Sequence, residues 1–298
     1  MRIPVYWVDA FTEKPLGGNP AVVVPQADDL TEAQMQGIAH EVNCSETAFI
    51  CPTTITEADL RLRWFSPTQE VDLCGHATVA ALHVLAQEQR FNLRPGTLQY
   101  LYLETRSGLL TASVDQTQDH RIGIWLSLPL CTFELLAAPE IHTLQTLLGV
   151  KPMTDPAPVM DSLNRDVLLS VEKLHTLHGL KPQLESMAAF NRQQGWRGVC
   201  IYTLDTQIPS HTAHLRFFAP NMGITEDPVT GSVSVPLALY LHQQAASLPA
   251  TNLDVATAMT FEQGDCLGRP GRLQVDLGSG SPRLGGHAVT VMRGEFEL

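Results

Sequence analysis

The chain partly repeats itself, and the repeat limits the folds open to it. Leu62-Arg63-Trp64-Phe65-Ser66-Pro67 is matched, 153 residues later, by Leu215-Arg216-Phe217-Phe218-Ala219-Pro220. After each proline come a polar loop, a glycine and an apolar run: Gly75 before His76 to Leu85, and Gly231 before Ser232 to Leu241. Leading into the first copy, Leu60, Leu62 and Trp64 alternate with Arg61 and Arg63; leading into the second, Ala213, Leu215 and Phe217 alternate with His214 and Arg216. Such period-two alternation specifies a half-buried strand. The runs after the glycines are apolar on nearly all sides, which specifies helices enclosed by protein. Pro236 falls in the opening turns of the second helix, where a missing amide is tolerated best.

The elements upstream of each copy also correspond. Thr31-Glu32-Ala33-Gln34 is a capping-box pattern that opens a helix to about Val42, followed by a strand over Glu46 to Cys51. In the second half a helix around Pro182 to Gln194 precedes a strand over Gly198 to Leu204. Further strands are expected at 5–11, 21–25, 98–103, 122–128, 166–171, 271–277 and 288–292. Strands dominate and each half carries one buried helix, an α+β arrangement of two similar, strand-rich lobes. The polar stretch from Asp115 to Arg121 is the expected boundary between them. A length of 298 residues agrees with about two domains.

The balance of 19 basic to 31 acidic residues, net charge −12, argues against nucleic acid or an anionic membrane as a partner. It leaves room for a small acidic ligand, because a cleft can be locally positive. The first residues read as a strand rather than a signal peptide, and no stretch approaches the ~18 apolar residues of a membrane helix. The six cysteines form no CxxC pair and read as reduced thiols, so a cytoplasmic protein is expected.

A helix start presents unpaired backbone amides and a partial positive charge, and so attracts anions. Glycine at that position, here Gly75 and Gly231, lets a ligand approach the backbone closely. If the halves pack as a pseudo-symmetric pair, both starts face one cleft that could hold a small carboxylate. A glycine-started helix is also a common structural feature. The halves differ in their polar residues: Glu46 opens a strand where the second half has Gly198, His76 opens the first helix, and Asp227 precedes the second. A partly buried Glu or a His can act as a general base. Equally, Glu46 could be a strand-edge charge, Asp227 a turn or N-cap residue, and His76 a helix cap.

Asp72-Leu73-Cys74-Gly75-His76-Ala77-Thr78 and Glu226-Asp227-Pro228-Val229-Thr230-Gly231-Ser232 resemble the two signatures of the phenazine-biosynthesis isomerase (PhzF-like) family. Val8-Asp9-Ala10-Phe11, Gly18-Asn19-Pro20-Ala21-Val22-Val23 and Ser45-Glu46-Thr47-Ala48-Phe49 resemble it too, in family order. The resemblance implies the diaminopimelate-epimerase-like fold, two lobes that are each a barrel around a central helix. Because the last strands return to the first lobe in that fold, the implied domains are 1–117 with 280–298, and 118–279. It further implies a cofactor-independent isomerase of a small carboxylate metabolite, usually a homodimer. Glu46 matches the family's acid/base, His76 and Asp227 its assisting polar residues, and Ser45, Gly75 and Ser232 its ligand contacts; Gly231 is the partner of Gly75.

The related epimerases use two opposed cysteines, one before each helix-start glycine. Here Cys74 precedes Gly75 but Thr230 precedes Gly231. A hydroxyl, with a pKa far above a thiol's ~8.5, is no base at neutral pH, so two-cysteine racemisation is disfavoured and Cys74 reads as a packed small residue. Val233 follows Ser232 where relatives often carry a small or polar residue, which implies a different site wall. The rival readings are a non-catalytic small-acid-binding or scaffold protein, and a hydrolase using Cys74 with His76. Residues two apart at a helix start are expected to point in different directions, which counts against the hydrolase. No metal is expected: His175 with His178, and His211 with His214, lack an obvious third ligand and read as surface or loop residues.

Overall fold

The structure, a computed structural model, describes residues 1–117, 121–245, 257–278 and 280–298. The chain forms two compact units, Met1–Leu128 with Arg283–Leu298, and Pro129–Pro282. The first unit opens with strands β1 (Arg2–Ala10), β2 (Asn19–Val24), β3 (Thr47–Cys51), β4 (Leu60–Phe65), β5 (Glu70–Val71), β6 (Thr97–Thr105), β7 (Gly108–Gln116) and β8 (Ile122–Ser127), with helices α1 (Glu32–Val42) and α2 (Gly75–Gln87). The second contains β9 (Phe133–Leu135), β10 (Val159–Asp161), β11 (Asp166–Ser170), β12 (Gly198–Thr203), β13 (Ala213–Ala219), β14 (Ile224–Asp227), β15 (Ala258–Gln263) and β16 (Gly271–Asp276). Its helices are α3 (Ala138–Leu148), α4 (Leu174–His178), α5 (Leu184–Gln194) and α6 (Gly231–Gln244). The chain then returns to the first unit as β17 (Arg283–Gly286) and β18 (Ala288–Glu297).

The sequence repeat is a repeat of topology. In the first unit β1–β2 pair antiparallel, β2–β3 parallel, β3–β4 antiparallel, β4–β6 parallel and β6–β7 antiparallel. In the second, β10–β11, β11–β12, β12–β13, β13–β15 and β15–β16 follow the same alternation. Each unit encloses a helix, as the all-round apolar runs require. Every residue of α2 from His76 to Ala86 is buried, against β1, β2, β3, β7, β8 and β18. Burying a Val or Leu side chain stabilises by about 1.5–3 kcal/mol, so α2 is held by its surroundings rather than by its own propensity.

The capping box forms as the sequence indicates: the Thr31 hydroxyl accepts from Gln34 N, and the Gln34 side chain accepts from Thr31 N. Asn43, at φ 51°, ends α1 in the left-handed conformation that Asn tolerates. Pro236 lies inside α6 and leaves the Ser232 carbonyl without its helical donor. Asn164 Nδ2 donates to that carbonyl at 3.0 Å, replacing the lost bond.

Two expectations change. The boundary stretch from Asp115 to Arg121 includes residues 118–120, which lie outside those described, and its flanks stay within the first unit. Asp115 and Gln116 of β7 pair with Gly123 and Ile122 of β8, and β8 also pairs with β17, so this unit extends to Leu128 and resumes at Arg283. His214 also differs from the surface or loop placement, whereas His175 is exposed and His211 lies in a loop. His214 is fully buried in β13, and both it and His211 bond the buried Glu262 at 2.8 Å. Glu262 further accepts the backbone amides of Gln207 and Ile208. Burial raises the pKa of this carboxyl, but the two imidazoles and two amides outweigh it and bring it down to about 2.

Candidate active site

The first unit brings Ser45, Glu46, Cys74 and His76 together. Ser45 and Glu46 precede β3, and Cys74 and His76 sit at the start of α2, which lies against β3. Glu46 Oε2 is 3.2 Å from His76 Nε2, and Ser45 Oγ is 3.3 Å from the same nitrogen. On the other edge of the ring, Cys74 Sγ is 3.4 Å from Nδ1. This corrects the expectation that Cys74 and His76 diverge: Cys74 is in extended conformation at the N-cap, so its side chain turns back over the first helical turn.

The electrostatics follow from burial and this contact chain. Burial raises the Glu46 pKa, yet its bond to His76, the His76 charge, Ser45 and Cys74 together leave it lower than usual. Burial likewise opposes charge on His76, but Cys74 and Glu46 against its two edges raise its pKa well above the ordinary value. Burial pushes the Cys74 thiol up, against the pull of the neighbouring His76. Glu46 and His76 each favour the other's charged form. Their side chains are 17% exposed at Glu46 and 10% at His76, so solvent reaches the carboxylate.

The second unit builds a different cluster at the corresponding place. Thr47 pairs with Phe65, and Val199 with Phe218, which sets Gly198 at the position of Glu46 and Arg197 at that of Ser45. A Cβ on Gly198 would fall 2.3 Å from the Phe217 ring, so this position has no room for a side chain. Arg197 makes a two-pronged pair with the fully buried Asp166, and its Nη2 donates to Ser232 Oγ at 3.0 Å. Burial, with Asp161 nearby, pushes the Asp166 carboxyl up to about 6 against the pull of Arg197. The contact from Arg197 to Ser232 therefore repeats the one from Ser45 to His76, position for position.

Before α6, Asp227 accepts from the Thr230 hydroxyl. Gln263 clamps this turn: its Nε2 donates to Asp227 O at 2.8 Å, and its Oε1 accepts from Thr230 N at 2.8 Å. Neither Cys74 nor Thr230 caps its helix with a side-chain hydrogen bond. The amides behind Gly75 and Gly231 are thus left without a side-chain cap. Asp166, Arg197 and Gln263 did not emerge from the sequence reading as site residues. Arg197 had a signal, since it precedes Gly198 as Ser45 precedes Glu46. Gln263 had none, because nothing local ties it to a turn more than thirty residues upstream.

Residues 8–294 match the family described as phenazine biosynthesis-like protein. The chain belongs to that PhzC-PhzF family. It is 34% identical over 300 residues to a Pseudomonas aeruginosa protein named as an uncharacterized isomerase, with 100% of both chains covered. Among solved structures it resembles a Bacillus anthracis phenazine biosynthesis protein of the PhzF family, at TM-score 0.86, 28% identity and full coverage of both chains. It also shares its fold with an Agrobacterium vitis hydroxyproline epimerase, at TM-score 0.61 and 11% identity over 99% of this chain and 92% of that one. The diaminopimelate-epimerase-like architecture is therefore that of the PhzF and racemase-type folds. Among the described residues, no helix is long and apolar enough to cross a membrane.

Proposed function

We propose that this PhzF-family member is a cofactor-independent isomerase that moves a proton between two carbons of a small carboxylate metabolite, with Glu46 as the acid/base. The contact of Glu46 with His76 carries this reading. The imidazolium keeps the carboxylate ionised, so Glu46 begins the cycle as a proton acceptor. A C–H bond of the substrate breaks, its proton passes to a Glu46 oxygen, and its electron pair delocalises as a double bond shifts. Glu46 then returns the proton to a different carbon, which restores the carboxylate and balances the reaction.

A carboxylate is a weak base toward carbon, so the anion that develops must be stabilised as it forms. His76 supplies positive charge beside Glu46, and the amides behind Gly75 and Gly231 supply hydrogen-bond donors. Ser45 and Ser232 contact the substrate, and Asp227, fixed by Thr230 and Gln263, assists by orienting a polar group on it. We further propose a homodimer, for which the outward-facing Leu98, Tyr100 and Tyr102 of β6 offer an apolar surface. Sedimentation at micromolar concentration should give twice the chain mass; a monomer would remove that part of the reading.

The test is proton NMR in D₂O with 2,3-dihydro-3-hydroxyanthranilate, the family's namesake substrate. Isomerisation with deuterium appearing at carbon is expected, and Glu46→Gln should lose about 10²–10⁴-fold in rate. Equal turnover by both proteins would remove Glu46 from its role.

A further inference from the structure

At the far end of α2 the first unit holds a cavity of about 380 Å³, lined by none of Ser45, Glu46, Cys74 and His76. His83 and Gln116 form its buried floor, and the exposed Gln87, Gln89 and Arg293 stand at its rim. His83 is 5% exposed and Gln116 4%, yet both ring nitrogens of His83 and Oε1 of Gln116 have no hydrogen-bond partner among the described residues. Buried polar groups are nearly always paired, so these atoms in one cavity call for an occupant. The second copy of the enclosed helix carries Leu239 at the place of His83, counted from its starting glycine, so the helix itself does not require a polar side chain there.

The lining sets the chemistry of that occupant. The Arg293 guanidinium lies over the Tyr6 ring at 5.5 Å, with Gln87 Oε1 at 3.5 Å, and makes no ion pair among the described residues. No acidic residue lines the cavity, so a single negative charge on a ligand meets a single unopposed cation. Burial, with His287 and Arg293 nearby, lowers the His83 pKa to about 4, so near neutral pH its ring offers one N–H and one bare nitrogen. Gln116 Oε1 only accepts. A hydroxyl accepts from an N–H and donates to a carbonyl oxygen at once, which neither an ammonium nor a carboxylate does. We propose that this cavity binds a small hydroxycarboxylate monoanion, with its carboxylate on Arg293 and its hydroxyl on His83 and Gln116.

The experiment follows the imidazole signals of the full chain, with its histidines labelled with ¹⁵N, as acids are added. Lactate, 3-hydroxybutyrate and 6-hydroxyhexanoate span a range of separations between hydroxyl and carboxylate. Propionate, butyrate and hexanoate are the same acids without the hydroxyl. The His83 signal is the one missing from His83→Leu. At least one hydroxy acid should shift it saturably at millimolar concentration, and the matching acid without the hydroxyl should bind about tenfold more weakly or worse. Arg293→Gln, at an exposed position that leaves the core untouched, should weaken that hydroxy acid by about tenfold or more. Gln116→Leu should remove the preference for the hydroxyl. A His83 signal that none of the hydroxy acids moves, as when water alone fills the cavity, overturns the proposal. Equal binding of a hydroxy acid and its matching acid overturns it too, as does a shift confined to His76, which would put the ligand beside Glu46. Turnover enters none of these readouts, so a protein that isomerises nothing counts against the proposed function and leaves this site to be decided by the His83 signal.

Discussion

At the start of α2 a carboxylate stands just before β3 and an imidazole on the helix answers it. At the start of α6 the residue in the carboxylate's place is Gly198, and the charge comes from its neighbour Arg197, anchored by Asp166 on β11. In the first unit Ala21 takes the position of Asp166, as the pairings of Val22 with Thr47 and Val167 with Val199 establish. One backbone pattern thus holds a carboxylate–imidazole pair in one copy and a fixed cation in the other. The lesson is that the repeated backbone supplies positions, and the residues at positions 45, 46 and 76 and their counterparts decide the chemistry.

Breaking the arginine's anchor should have the largest effect on stability. Arg197→Met leaves the Asp166 carboxyl buried without its partner and should cost about 3–5 kcal/mol in urea unfolding. Replacing both, Arg197→Met with Asp166→Leu, should recover most of that loss; no recovery would mean that the pair is more than a neutralised charge.

Acid should separate the units next. His83, inside α2, is buried with both ring nitrogens lacking hydrogen-bond partners, and burial, with His287 and Arg293 nearby, lowers its pKa to about 4. A histidine kept neutral by folding stabilises above its unfolded value near 6.5, and that share is lost as pH falls from 6.5 towards 4, ~3 kcal/mol in all. In the second unit the contribution of Glu262 is also lost towards acid, but lower on the scale. It is present above about 4.5 and lost only as pH falls through about 2. At pH 5, pepsin should therefore cut the first unit before the second, and His83→Leu should narrow the gap. Simultaneous cleavage would show that the units do not unfold separately.

A smaller effect tests whether the halves can be made alike. Gly198→Ala, the first step towards a second Glu46, drives a Cβ into the Phe217 ring and should cost about 1–3 kcal/mol by thermal melting. Adding Phe217→Leu should return part of it. A neutral Gly198→Ala would mean that the ring yields, and that the second unit lacks its carboxylate for a reason other than space.

Much of this arrangement was legible in the residues. The capping box at Thr31, the enclosed helices and the alternation in β4 each report a local rule, and each formed as written; β13 formed as a strand but is buried on both faces, because His214 and Arg216 find partners inside the unit. The return of β17 and β18 to the first unit was legible only through the family resemblance, because strand pairing across nearly the whole chain leaves no local trace. α3 was overlooked although Pro139 near its start and Gly149 at φ 67° beyond its end are ordinary helix punctuation. β7 and β15 gave weak alternation, and their pairing partners define them. Within the site, Glu46, His76 and Asp227 stood out because they break the repeat. The contact between Cys74 and His76 did not, because it depends on the extended backbone of the N-cap rather than on spacing.

The pairing of β1 with β18 has a consequence for how the protein is made. Arg2 lies opposite Glu297, so one edge of β1 stays unpaired until β18, far later in the chain, has been made. The second unit, continuous from Pro129 to Pro282, can close during translation, while the half that carries Glu46 stays open until synthesis reaches β18. A chain cut off before residue 288 would hold the fixed arginine in place while the half that carries Glu46 lacks its closing strand.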